Sequence, residues 1–337
     1  MSHRFVALAG ALAALWLAGA PLAGQAPPAA KTRPAGKTWT APRTPDGQPD
    51  LQGLWTNATI TPFERPKELA GKEFFTEKEA TEYEKQVLEN SDRDRRGATA
   101  EADVAGAYND FWFDRGTKVV ATRRTSIVVD PPDGKVPPLT PEAQKAAAAR
   151  AEVGRRPPTG PEDMALPVRC ILWPTAGPPM LPSGYNNNYQ ILQTPGYVVI
   201  SVEMIHDVRV IPLDGRPHLP PNIRQWMGDS RGHWEGQTLV VDTTNFSGKT
   251  TFRGADQNLH LIERFTRTDP DTILYQFAVD DPTAFTKPWK GEVAMRKTPG
   301  PIYEYACHEG NYSMAYMLEG ARTQEKASPR AAPEGSK

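Results

Sequence analysis

The chain has 337 residues, a formal net charge of −1 and 23% charged side chains, with 34 prolines. This charge balance provides no basic face, which excludes nucleic acid as a partner. Once an address segment is set aside, roughly 310 residues remain, enough for one large domain or two small ones.

Residues 1–20 read MSHRFVALAGALAALWLAGA. Arg4 precedes an apolar run from Phe5 to Leu17. A run of about a dozen residues suits a secretory signal better than a membrane span, which needs about 20. Ala18-Gly19-Ala20 and Gly24-Gln25-Ala26 are small-x-small cleavage sites. We expect a signal peptide over 1–26, a periplasmic or secreted location, and no stable membrane insertion; an uncleaved anchor is the competing reading. Residues 27–45, rich in Pro, Ala and Lys, are expected as a disordered linker.

Residues 46–186 are expected to form a proline-rich wrap with two short helices and one strand. Leu51, Leu54 and Trp55 are its first core anchors. Thr76, with Glu79 three residues on, predicts a capped helix. Thr140-Pro141 predicts a second, with Thr140 as N-cap. Between them, residues 91–104 read as a charged linker, and Lys118–Asp130 alternates like a strand. Arg169–Gly184 carries too many prolines for a central strand and is expected to line a rim.

Residues 187–322 change pattern. YQILQT, YVVISVE, VRVIPL, TLVVDTTNF, LIERFTRT, TILYQFAVD, WKGEVAMR and IYEYAC follow one another with turns between them. No helices lie between them to cross over, so the fold class is mainly β. The sheet should be antiparallel, an up-and-down barrel or barrel-like sheet, with a two-sheet sandwich as the alternative. Residues 323–337 are polar and expected as a disordered tail. The pattern fixes no oligomeric state.

The segments IPLDGRPH, GDSRGHWEGQTLVVDTTNF, ERFTRTDPDTILYQF and YEYACHEGNYSM resemble a widespread family of exported bacterial proteins that open with a TPDGQPDLQGLW segment. The resemblance spans most of the mature chain and implies no particular activity. By fold-level analogy the barrel is also similar to the calycin and lipocalin group, through Gly232-His233-Trp234.

Two constellations carry the candidate chemistry. Glu203, His206, Asp207 and Arg209 place carboxylates beside an imidazole and a guanidinium, the minimum for acid–base work near neutral pH. On an uninterrupted strand Glu203, Asp207 and Arg209 would share a face with Tyr197; a turn at Met204–Asp207 would put His206 at the barrel mouth. Trp226, Asp229, Arg231, His233, Trp234 and Glu235, together with Tyr197, are the candidate ligand-binding residues. Zinc spacings are missing, so neither metal nor cofactor is expected. Cys170 and Cys307, the whole cysteine inventory, are expected to form a disulfide after export, with two buried thiols as the alternative.

These features give three expectations. The first is an exported barrel binding a partly apolar small molecule, because aromatic side chains outnumber convergent charges. The second is a cofactor-independent hydrolase, lyase or isomerase using Glu203 or His206. The third is an envelope-assembly partner, for which an apolar patch on the N-terminal wrap is expected.

Overall fold

The computed structural model describes residues 39–92, 99–106 and 113–327. The expected signal peptide, most of the linker, and the tail beyond Ala327 lie outside the described residues.

Ten strands form one sheet: β1 (Gly53–Thr56), β2 (Val128–Asp130), β3 (Asn188–Thr194), β4 (Tyr197–Val202), β5 (Val208–Pro212), β6 (Asp229–Glu235), β7 (Thr238–Thr244), β8 (His260–Asp269), β9 (Thr272–Asp280) and β10 (Trp289–Lys297). Their order is β5-β4-β3-β1-β10-β9-β8-β7-β6, with β2 paired to β10. The sheet is antiparallel and curls into a nearly closed barrel. Period-two burial gives it its core. In β9, Ile273, Tyr275, Phe277 and Val279 are buried, while Leu274, Gln276 and Ala278 between them are half-exposed.

Side chains fill the interior. Trp55, Tyr189, Tyr275, Phe265 and Phe277 are all fully buried. Trp55 comes from the segment expected as a wrap, and β1 places it mid-sheet, between β3 and β10. A lipocalin-style central cavity would need this volume, so the clefts described below lie at the edge of the barrel.

Four helices flank the sheet: α1 (Glu77–Ser91), α2 (Ala100–Gly106), α3 (Pro141–Gly154) and α4 (Ser313–Ala327). The two expected helices begin at their expected caps. Thr76 and Glu79 make a reciprocal capping box, and the Thr140 side chain accepts from Ala143 N.

Several expectations are corrected. Lys118–Asp130 is not one strand: a turn at Ala121–Thr122 breaks it, and only Val128–Asp130 pairs with β10. The charged linker contains α2, and α4 carries helix through Thr323 to Ala327, into the expected tail. Residues 302–307, read as a strand, are irregular and pair with no strand of the sheet. Asp229–Glu235, absent from the strands expected from sequence, is β6. Exposed apolar side chains gather on β3–β5, at Leu192, Tyr197, Val208 and Val210.

Cys170 and Cys307 are joined, with their Cα atoms 5.7 Å apart across 137 residues of sequence. Cys307 lies in the irregular segment before α4 rather than on a last strand. The bond therefore ties one irregular segment to another.

Candidate functional site

The barrel's open seam lies between β5 and β6. Eight successive antiparallel pairings separate these two strands, so they run in the same direction. A parallel neighbour uses a different hydrogen-bond register. No backbone bond joins β5 to β6 among the described residues. Side chains close the seam instead. Arg209 on β5 donates from Nη2 to Ser230 Oγ on β6 (3.3 Å), and Ser230 Oγ lies 2.9 Å from Thr243 Oγ1.

Arg209 anchors a buried network. Its Nη1 donates to Glu263 Oε1 (3.0 Å), and Nη2 also bonds Glu263 Oε2. Tyr275 donates to Glu263 Oε1 at 2.8 Å, and its own oxygen accepts from Met180 N at 2.9 Å. Burial alone would weaken the charged guanidinium; contact with Glu263 outweighs it and holds the Arg209 pKa above its ordinary value. Alternation places Arg209 inward on its strand, and Glu263 sits opposite on β8. The pair thus acts as a strut across the barrel.

At the N-terminal end of the seam the two strands frame a cleft of about 540 Å³. Asp207, Val208, Val210, Trp226 and Ile171 are among the residues lining it, with Arg209 and Ser230 at its strand edges. The Asp207 Oδ2 is buried without a hydrogen-bond partner. Burial pushes the Asp207 carboxyl up to about 6, with His206 pulling partly back. A carboxyl near 6 in a cleft can both donate and accept a proton at neutral pH. Gly228, at φ +71°, turns the chain into β6; a Cβ there would meet Thr244 O at 2.6 Å.

Family models, curated proteins and solved structures were compared with the chain. None matches.

Of the residues singled out from sequence, Asp207, Arg209 and Trp226 come together at this cleft, and Asp229 borders it with its carboxylate bonded elsewhere. Others do not. Both oxygens of buried Glu203 are occupied, accepting from Asn188 Nδ2 (2.8 Å) and Tyr303 N (3.1 Å), so it pins the β4–β5 turn. That turn, a single 3-10 turn at Met204–His206, leaves His206 exposed, with Nδ1 3.1 Å from Tyr305 O. Tyr197 sits at the far end of the hairpin, accepting from Arg216. His233 and Glu235 are exposed on the outer face, where Arg264 donates to Glu235 (2.7 Å). Trp234 packs against the core.

The Asp229 carboxylate turns away from the seam, into a cluster with Arg231 whose other members, His218, Asp242 and His260, sequence reasoning missed. It accepts from Arg231 Nη1 (2.6 Å) and Leu219 N (2.9 Å), and its Oδ2 lies 3.0 Å from His218 Nδ1. His218 Nε2 and His260 Nε2 both approach Asp242 Oδ1, at 3.3 Å and 3.0 Å. The bond to Asp242 raises the His260 pKa above its usual value. Among the described residues no group of three His, Cys, Asp or Glu is arranged to hold a metal ion. The only sequence signal for His218, Asp242 and His260 was their residue type; Asp229 and Arg231 had been named as ligand-binding candidates.

Proposed function

We propose that the protein binds a small, partly apolar molecule in the cleft at the β5–β6 seam. One observation carries this reading: Asp207, with its partnerless buried oxygen, stands beside Trp226 in a cleft whose size suits a small ligand. Val208, Val210 and Ile171 supply apolar surface, and Asp207 supplies the orienting polar contact. Export to the periplasm or outside the cell is part of the proposal. One fact supports it: the disulfide suits an oxidising compartment.

An acid–base enzyme is the second reading, favoured by the Asp207 carboxyl near 6. In this reading Asp207 takes the role expected of Glu203 or His206, because the Glu203 oxygens already accept bonds elsewhere.

The test starts from protein isolated without refolding, whose extract is searched by mass spectrometry for retained small molecules. Each hit is titrated against tryptophan emission in wild type, Trp226→Phe and Val210→Trp. The binding reading expects one saturable site that Val210→Trp blocks. Equal affinity in all three proteins would sink it. For an enzyme, Asp207→Asn should keep binding while lowering turnover about 10²–10⁴-fold.

A further inference from the structure

We infer a second ligand site, separate from the seam, that takes an organic carboxylate with an apolar body. It lies between α3, residues 162–174 and the loop at residues 249–251, around a cleft of about 620 Å³.

The charge balance of this cleft is uneven. Arg150, Arg169 and Lys249 face it, against the single carboxylate of Glu162. Arg150 is partly offset by Asp256 at 3.6 Å. The Arg169 and Lys249 side chains make no ion pair or hydrogen bond among the described residues. Some cations elsewhere are paired, Lys118 with Glu84, Arg124 with both Glu73 and Glu292, Arg231 with Asp229, while others such as Lys145 and Lys287 have no ion pair among the described residues. Two cations left without a carboxylate at the rim of one cleft form a local positive field, which draws an anion.

The floor beneath these cations is apolar. Met164 and Leu172 are buried there, and Leu166 and Pro174 complete the surface. Leu172, Pro174, Thr250 and Thr251 also wall an adjoining slot of about 20 Å³, lined by Phe246, Phe252, Leu259, Asp256 and Trp226, the last of which it shares with the seam cleft. That slot has room only for the end of a chain or the edge of a ring. A charged rim over a dry floor selects an amphipathic ligand: the head meets Arg169 and Lys249, and the body covers Leu166 and Leu172. The planar guanidinium of Arg169 favours a planar two-oxygen head, which is a carboxylate.

The wall is held in place although it lacks regular secondary structure. Cys170 is bonded to Cys307, Asn311 Nδ2 donates to Val168 O (3.0 Å), and Arg322 of α4 donates to Pro158 O (2.6 Å) and Thr159 O (3.0 Å). A preformed cleft loses less entropy on binding than one assembled around its ligand.

The test uses decanoate as probe, followed by calorimetry on the disulfide-intact protein. Decanol supplies the body without the charge, acetate the charge without the body, and decyl sulfate a different head. One decanoate per chain is expected, at least tenfold tighter than decanol or acetate and weakening as salt rises. Lys249→Gln and Arg169→Gln should each weaken decanoate about five- to tenfold while leaving decanol unchanged. The seam variant Val210→Trp should leave decanoate binding intact, so failure of the seam site and failure of this one are distinguishable. Equal binding of decanol and decanoate, or unchanged decanoate affinity in the Arg169→Gln/Lys249→Gln double variant, would overturn the inference. Decyl sulfate binding tighter than decanoate would overturn the carboxylate assignment. Lys249 is exposed, so its variant folds and reads the site even if another does not.

Discussion

Arg209 and Glu263 have side chains 2% and 0% exposed, so neither charge can fall back on water. A buried pair contributes little net stability when intact, but removing one partner strands the other. Glu263→Gln should therefore cost about 3–5 kcal/mol in urea unfolding. The volume-matched double variant Arg209→Met/Glu263→Leu should cost less than Glu263→Gln alone; the reverse order would show that the pair itself, rather than the stranded charge, sets the energy. Asp207 gives a prediction of a different kind. Its carboxyl is raised to about 6 by burial, so the folded state holds its proton more tightly than the unfolded chain. The stability this contributes is fully present below the ordinary Asp pKa of about 4 and is lost as pH rises through 6. Urea midpoints measured from pH 4 to 7 should show this loss in wild type, and Asp207→Asn should flatten that part of the curve. An identical slope in both proteins would place the titrating group elsewhere. Asp207, Arg209 and Trp226 could be picked from sequence because their residue types suit a site and they lie near one another along the chain. Ser230 and Glu263 could not, since they meet Arg209 from 21 and 54 residues away. His218 was invisible because its partners, Asp229 and Asp242, lie on the β6–β7 hairpin that follows its loop, and residue type alone does not report that the loop folds over them.

Strand legibility followed length and alternation. The nine-residue β9 and β10 announce themselves through buried positions with few interruptions. The four-residue β1 is too short to show a period, yet it occupies the middle of the sheet. Strand β6 was hidden by Gly232 within it and by the flanking Gly228 and Gly236, since glycine punctuates turns more often than strands. Gly232 is glycine for a packing reason. A Cβ there would meet Leu213 Cδ2 at 2.6 Å and Ile211 Cγ2 at 2.9 Å, so β6 can lie against β5 only where this side chain is missing. Gly232→Val should wedge the seam and cost about 1–3 kcal/mol. Hydrogen exchange should show protection falling first in β5 and β6 while β8 and β9 keep theirs. Uniform loss across the sheet would mean that the seam is not a separate unit of stability. The false strand at residues 302–307 has the alternating aromatics of a true one. It pairs with no strand even though the facing edges of β5 and β6 carry no backbone bond among the described residues, and no local pattern reports that outcome.

Across the whole molecule, the disulfide fastens the irregular Met164–Pro174 wall to the segment leading into α4. Closing a loop of 137 residues contributes about 5 kcal/mol in the chain-entropy model. Reduction, or Cys170→Ser, should lower stability by about 2–5 kcal/mol and expose residues 162–174 to protease before the barrel opens. Thiol counting on denatured, unreduced protein checks the bond itself, and two free thiols per chain would refute it. The sheet order has a further result for how the chain folds. Strand β1 joins two arrays of neighbours, β3–β4–β5 on one side and β10 through β6 on the other, and in it Trp55 pairs with Lys297. The hairpins within each array need only short loops to close and can form early. Joining them requires bringing together residues from nearly opposite ends of the described chain, a high-contact-order step that is slow on entropic grounds. A chain emerging from its N-terminus therefore holds two unjoined half-sheets until β10 is available, and the strand that completes the barrel's centre is also the last one made.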